Sequence, residues 1–518
     1  MTIEQLDAAL LAGSVVLLLA VIAVRLSVAS GLPSLLLYLA LGLAVGEGGL
    51  GLHFDDAELT GALGYAALVL ILAEGGLTTR WATIRPVVAP AAVLATAGTA
   101  VCVVVAGAAT HLLLDRPWPE ALLLGAAISS TDAAAVFSVL RRVPLPPRLV
   151  GILEAESGFN DAPAVIAVVA LTDIAAGHSG LPWPALVGVA ALELLVGAVL
   201  GLAIGWLGSI VLRRVALPAS GLYPIAVLGL AAMAYGAAAA THGSGFLATY
   251  LACLVLGNTR LPHGAAVRGF AEGMGWLSQI GLFVLLGLLA SPSRLPAQLA
   301  PAIVLAPVLL LLARPLSVAL SVTWFGLSWR EQAFLSWAGL RGAVPIVLAT
   351  IPVTRGVPGS KGMFDLVFVL VALFTLVQGP SLPWMARLLR LGGSGETVGL
   401  DVESSPLGRI GADVLEVRIG PTSRLHGVEI FELRLPEGAN VTLVLRDDDA
   451  FVPGPSTMLR HGDHLILVAP AELRDATEER LRRVSAGGRL ATWHRAAPGQ
   501  KREGSRRTRL GRRRRVSG

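Results

Sequence analysis

The sequence predicts an all-α polytopic membrane protein with a small α+β domain at its C-terminal end. Three observations lead there. Hydrophobic residues make up 54% of the chain and charged residues 14%, more apolar surface than a soluble chain of this size can bury. The apolar residues come in blocks near the roughly 20 residues that a membrane helix needs, and the blocks stop near residue 392. Past residue 411 the pattern alternates with period two between Gly, Pro and Asp, as short strands do.

Thirteen blocks qualify as spans, at about 7–27, 32–47, 60–78, 87–113, 120–140, 153–175, 184–212, 221–241, 245–257, 272–291, 298–326, 331–353 and 364–386. The acidic start, Met1 to Asp7, lacks the basic region of a secretory signal, so the first block is expected to remain a helix. The second and ninth are short, and only His242-Gly243-Ser244-Gly245 divides the eighth from the ninth. With the N-terminus outside, the inner connections hold Arg25, Arg80, Arg85, Arg141, Arg142, Arg148, Arg213, Arg214, Arg260, Arg268, Arg330, Arg387 and Arg390. The outer loops hold Arg116, Arg294, Arg355 and Lys361. Positive charge on inner loops orients membrane proteins. The expectation is a multi-pass protein of the cell membrane whose C-terminal domain is cytoplasmic.

The domains follow as 1–392 in the membrane, a linker at 393–410, a small domain at 411–485 and a tail at 486–518. Runs such as Val414-Leu415-Glu416-Val417 and Leu465-Ile466-Leu467-Val468 read as strands, and Leu473 to Val484 as a closing helix. Lys501 to Arg515 holds nine Lys/Arg and one Glu. The basic balance therefore reports a tail, either a solvated end or a contact for anionic headgroups, and not a nucleic-acid-binding domain. Cys102 and Cys253 lie inside apolar blocks, no CxxC exists, and the nine histidines lack metal-ligand spacing. No cofactor is expected, and no nucleophile-base pair suggests an enzyme.

The chemistry sits inside the membrane, where ionisable side chains mark ion or proton paths. Ser129-Ser130-Thr131-Asp132 lies in mid-span and covers every side of a helix, so a broken helix lining a cavity is expected. In the sixth span Glu156 stacks near Asn160 and Ser157 near Asp161, with Gly158 and Pro163 loosening the backbone. Buried Arg314 and Arg341 cannot lose their protons and need partners. Glu156 with Arg314 is the expected structural pair, holding the sixth span to the eleventh and leaving Asp161 for ion chemistry. Arg341, beside two glycines, suggests a second interrupted helix. Glu74 and Glu272, near inner ends, either line an entry funnel or are solvated helix ends, and Glu154, nearer the inner start of its span, has solvation there as its plain reading. Glu193 suggests no role. Low dielectric disfavours a charged carboxyl, so one such group can take a proton or a monovalent cation in turn. That competition couples two opposing fluxes.

Glu-x-Glu-Ser-x-x-Asn-Asp at 154–161 resembles the signature of the monovalent cation:proton antiporter-1 family. Ser-Ser-Thr-Asp-Ala-Ala-Ala-Val-Phe at 129–137, Ala-Arg-Pro-Leu-Ser-Val at 313–318 and Gly-Leu-Arg-Gly-Ala-Val-Pro at 339–345 are similar to further motifs of that family. The resemblance implies thirteen helices in inverted repeats, with the fifth and twelfth unwound and crossing near the ion, and a homodimer. It implies that Asp161 binds cation and proton, that Asp132, the Thr131 backbone and Ser157 complete a monovalent-cation site, and that Asn160 orients Asp161. It places Arg341 near the crossing. Asn160, where electrogenic relatives carry a second Asp, resembles the electroneutral branch.

Residues 411–484 resemble the C-terminal subdomain of potassium-conductance regulators, TrkA-C, through Gly-Val-Glu-Ile-Phe-Glu-Leu-Arg-Leu-Pro and Leu-Arg-His-Gly-Asp-His-Leu. No G-x-G-x-x-G follows a strand there, so nucleotide sensing is not expected, while a small-molecule effector stays open. The leading reading is a K⁺/H⁺ antiporter, with Na⁺ open. The alternatives are a channel or uniporter, which lacks a TVGYG-like filter, and a membrane sensor acting through the C-terminal domain.

Overall fold

Apolar runs in a bilayer must close their own backbone hydrogen bonds, and a helix does so within one segment. The computed structural model describes residues 3–30, 33–49, 51, 56–132, 136, 145–178, 182–391, 400–407, 412–420, 423–447, 449–470 and 472–488. The chain divides into two units, Met1–Ser394 and Gly395–Gly518. The first is helical: α1 Ile3–Ser30, α2 Ser34–Val45 and α3 Ala57–Thr78, then α4 Trp81–Leu114, α5 Trp118–Ala127 and α6 Pro147–Ala175. After these come α7 Trp183–Arg214, α8 Leu222–Ala240, α9 Gly245–Gly257 and α10 Gly264–Leu289. The unit closes with α11 Leu295–Phe325, α12 Trp329–Trp337, α13 Ala343–Thr354 and α14 Ser360–Leu388. Among the described residues nine of these helices are long and apolar enough to cross a membrane. The protein is a multi-pass membrane protein.

Side-chain caps start several helices. Asp56 accepts from Leu59 N at 2.8 Å before α3, and Ser328 and Glu331 form a reciprocal capping box on α12. Ser244 caps α9, four residues after α8 ends. Small residues then bring helices together, as they must where hydrophobic burial gives no net attraction. Gly197, Gly201 and Gly205 on α7 face Ser244, Ala248 and Ala252, leaving no room for a larger side chain.

Two chain segments leave helical geometry inside this unit. After α5 the chain is non-helical at 129–132, and between α12 and α13 it is non-helical at 339–342. The two stretches bond to each other, Asp132 N donating to Leu340 O at 2.8 Å. Side chains of α14 answer carbonyls freed by the second break. Gln378 Nε2 donates to Trp337 O at 2.8 Å and Thr375 Oγ1 to Arg341 O at 3.4 Å. Gly342 passes so close to the Asp132 carboxylate that any Cβ would collide with it. The remainder of the fifth block, apart from Val136, lies outside the described residues.

Single widened π-turns, which the sequence did not signal, occur at Leu94–Gly98 in α4 and Leu309–Ala313 in α11. Across the first of these turns, Ser317 Oγ of α11 donates to Gly98 O at 2.8 Å. Arg314 follows the α11 turn directly.

The second unit is an antiparallel sheet of order β1-β2-β5-β3-β4. Its strands are β1 Leu400–Leu407, β2 Ala412–Ile419, β3 Asn440–Arg446, β4 Asp449–Phe451 and β5 His464–Pro470, and α15 Arg474–Gly487 follows. Alternate residues Leu415, Val417, Leu465 and Leu467 meet Leu481 and Val484 of α15 in its core. Asp463, fully buried, holds Arg446 through two 2.8 Å bonds, which push that guanidinium's pKa up. Residues 393–410 were expected to be linker, yet β1 occupies 400–407 and pairs along its length with β2. Its Ser-Ser-Pro stretch hides the strand pattern, and Pro406 is tolerated because β1 is an edge. The tail from residue 489 lies outside the described residues.

Replacing Gly201 with Leu is expected to force α7 off α9. Size-exclusion chromatography in detergent should then show loss of the monodisperse protein, whereas Gly201→Ala should be milder.

Candidate functional site

Helix α6 carries the site's acidic groups on two faces. Glu156 and Asn160 are one turn apart and point toward the broken stretch after α5 and toward α11. Glu154, Ser157 and Asp161 follow one another at three and four residues and line a cavity. Pro163 removes the N–H that would bond the Phe159 carbonyl, so α6 is loosened one turn around Asp161.

The first face is a buried polar network in which, among the described residues, Arg314 Nε and Asn160 Oδ1 have no hydrogen-bond partner. Arg314 donates to both Glu156 oxygens, at 2.6 and 2.9 Å, and to Leu335 O at 3.5 Å. Thr131 Oγ1 donates to Glu156 at 3.4 Å and accepts from Asn160 Nδ2 at 2.6 Å. Glu156 is 2% exposed and Arg314 5%. Such a pair is stable only when its remaining hydrogen-bonding positions are met. The pair ties α6, α11 and α12 to the crossing.

The second face opens into a cavity of about 540 Å³. Asp161 is 6% exposed and accepts from Ser130 Oγ at 2.5 Å. Ser157 Oγ donates to the Thr131 carbonyl at 3.0 Å. Glu74, Thr131, Asp132, Glu154, Ser157, Asp161 and Glu272 all line this space. Among the described residues of the lining, its five carboxylates are accompanied by no Lys, Arg or His, a composition that favours cations. Among the described residues no group of three or more His, Cys, Asp or Glu is placed to hold a metal ion. The oxygens at the crossing are thus two carboxylates with hydroxyl and backbone partners, a set suited to an ion that must leave again.

The structure thus brings Asp161, Asp132, Thr131, Ser157 and Glu74 to one cavity and sets Glu156, Arg314 and Asn160 behind it. Asn160 was expected to orient Asp161, but its amide bonds Thr131, and Ser130 is the residue on Asp161. Ser130 belongs to the polar run that the sequence marks, but the sequence gives it no role of its own, because a small hydroxyl in a membrane helix ordinarily means packing. Glu154 and Glu272, whose helix-end positions also fit plain solvation, both line the cavity. Arg341 is 4% exposed and stacks its guanidinium 4.6 Å from the Phe374 ring centroid, outside the cavity lining.

Comparison with known proteins adds the following. The profile of the sodium/hydrogen exchanger transmembrane family matches residues 14–388, and that of the TrkA-C domain matches 414–482. The chain is 35% identical over 484 residues to the K⁺/H⁺ antiporter NhaP of Alkalimonas amylolytica, covering 91% of this chain and 83% of that one. It is 38% identical over 473 residues to the K⁺/H⁺ antiporter NhaP2 of Shewanella sp. (strain MR-4), covering 89% and 81%. In fold it is similar to the sodium proton antiporter MjNhaP1 of Methanocaldococcus jannaschii, with a TM-score of 0.65 at 22% identity over 75% of this chain and 100% of that one.

Removing the Glu156 charge strands Arg314 in the interior. Glu156→Gln is expected to cost about 3–5 kcal/mol, read as a clear drop in thermal unfolding temperature in detergent, while Ser157→Ala should leave that temperature nearly unchanged.

Proposed function

The chain belongs to the sodium/hydrogen exchanger family, and on the geometry of its cavity we propose that it is a secondary antiporter exchanging a monovalent cation for H⁺ by competition at Asp161. The observation that carries this reading is the position of Asp161. It lies beside the crossing of the two broken stretches, faces a cavity without basic residues among those described in its lining, and receives only a serine hydroxyl among its described contacts. Glu156 is already matched by Arg314, so the arginine does not neutralise Asp161.

In the proposed cycle the deprotonated Asp161 binds the cation together with Asp132, Ser157 and the Thr131 backbone. Glu74 lies further along the same lining and attracts the incoming ion. Proton uptake by Asp161 discharges the cation, and the protonated site returns to the opposite side. A ligand shifts such an equilibrium only by binding one state better. Because cation and proton exclude each other at one group, neither flux runs without the other. The amide of Asn160 carries no charge, so a single titrating group fits one-for-one, electroneutral exchange. K⁺ is the favoured cation, following the activity in the names of the similar antiporters, and Na⁺ is the competitor to compare.

The same reading makes residues 411–485, within the second unit, a cytoplasmic regulator that binds a small effector, and leaves the basic tail at 486–518 as a solvated end or a contact for anionic lipid. It also makes the protein a homodimer in the cell membrane with the N-terminus outside. The apolar outer faces of α1 and α7, each only 11% buried, suit lipid or a second copy. No cofactor enters the cycle.

In proteoliposomes, Asp161→Asn is expected to abolish K⁺- and Na⁺-driven proton flux while the protein keeps its unfolding temperature. Retained flux would remove Asp161 from the mechanism. Deleting residues 405–518 should change apparent ion affinity or regulation and preserve exchange, and complete loss of flux would make the second unit structural.

A further inference from the structure

The cavity runs between two bodies of helices, with α2, α3, α9 and α10 on one side and α6 and the two broken stretches on the other. Glycines show how each body is held. In the first, backbone lies on backbone. Gly287 of α10 meets Leu39 and Gly42 of α2, Gly76 of α3 meets Tyr250 and Leu254 of α9, and Gly257 of α9 meets Leu77 of α3, each too closely for a Cβ. In the second, Gly125 of α5 lies on Val103 of α4, and Gly151 of α6 on Thr83 of α4, in the same way. Across the cavity's two walls glycines meet side chains instead: the Thr350 hydroxyl at Gly61, the Val347 methyls at Gly64 and the Tyr250 ring at Gly158. Backbone seated on backbone leaves nothing to re-pack, so each body is stiff, whereas side-chain contacts can change partners.

The chain first crosses from one body to the other between α3 and α4. Leu77 is still seated on Gly257 of the first body, and Thr83 is already seated on Gly151 of the second, so residues 78–82 form the joint. One side chain from elsewhere in the chain holds it. Asn258, the residue that ends α9, accepts from Trp81 N at 2.7 Å and donates to Thr79 O and to Leu254 O, both at 2.9 Å. These partners fix which end of the amide faces which group. The first bond caps α4, whose own N-cap residue Arg80 supplies no side-chain cap. The bond to Leu254 O anchors the amide on its own helix. Asn258 lies outside the cavity lining, so its three bonds serve the joint and not the ion.

We propose that residues 78–82 are a pivot on which the body carrying Asp161 turns against the facing wall, and that Asn258 is the positioning residue that holds this pivot in place. A hinge is a few residues at element ends that absorb the backbone rotation. Here the rotation falls on the short joint, because the glycine contacts on either side of it leave the helices no play. Asn258 keeps the start of α4 helical and seated on α9 while the joint turns. Its bonds are the same whichever side the site faces, so it acts on the rate of turning and not on the balance between the two orientations. A slower turning step leaves the cation's binding equilibrium untouched.

This inference rests on the antiport reading. The test measures initial proton flux against K⁺ concentration with the full chain in proteoliposomes, normalised to the monodisperse protein recovered. Asn258→Ala removes all three bonds. It is expected to lower the maximal rate about tenfold, with the half-saturating K⁺ concentration within about twofold of the parent. Asn258→Asp keeps the shape and the acceptor for Trp81 N–H, which an anion at a helix start serves well. It loses the donated bonds, and its rate is expected about threefold below the parent, again at unchanged half-saturation. A parental rate in Asn258→Ala would overturn the pivot. So would a half-saturating concentration that moves with the rate, or an aspartate variant no faster than the alanine one. Should Asn258→Ala fail to fold, Asn258→Asp decides alone: a parental rate or a shifted half-saturation overturns the pivot, and a lower rate at unchanged half-saturation supports it. If the parent protein drives no cation-dependent proton flux, the antiport reading fails. If the parent exchanges and Asn258→Ala matches it, the pivot alone fails.

Discussion

The buried pair between Arg314 and Glu156 is the interaction around which the rest of the site is arranged. Arg314 leaves a widened turn of α11 and reaches α6 through two hydrogen bonds and α12 through Leu335 O. Glu156 passes the connection on to Thr131 and Thr131 to Asn160. Four chain segments that would otherwise have no reason to meet are fixed by one guanidinium. Water cannot compete for these groups, so the bonds are strong, and losing one partner leaves a charge that nothing can solvate. The π-turn before Arg314 becomes intelligible here, because it rotates the following residues toward α6 without ending the helix.

That pair also divides α6 into two chemically different faces. On one face acid is matched by base. On the other, acid faces acid across a cavity. One helix thus supplies both the rigid frame and the exchangeable charge, separated by a single residue step from Asn160 to Asp161. The crossing bond from Asp132 N to Leu340 O holds the broken segments in register with this second face. In the proposed cycle this contrast is what makes Asp161, and not its neighbour Glu156, available to a proton or a cation.

Much of this was legible in the sequence, and the failures have physical causes. The polar run Ser129 to Asp132 and the glycines around Arg341 announce backbone breaks, because no apolar environment tolerates such residues on all sides of a helix. The fold class, the TrkA-C likeness and the antiporter likeness also rest on residues that can be read directly. The partner of Asn160 could not be read, since helical spacing says which residues share a face but not which segment that face meets. Glu154 and Glu272 look like solvated helix ends in one dimension and become cavity walls only when α3, α6 and α10 converge. The strand at 400–407 carries too little alternation to be seen, and its pairing with β2 is a non-local fact.

The central claim is that one carboxyl group hands a proton and an alkali cation to each other. The most direct measurement adds K⁺ to the purified protein in weakly buffered detergent solution and follows the pH with an indicator. The account predicts proton release that saturates together with cation binding, grows as the starting pH is lowered into the range where the site is protonated, and reverses on cation removal. Saturable cation binding that releases no proton at any starting pH would contradict it.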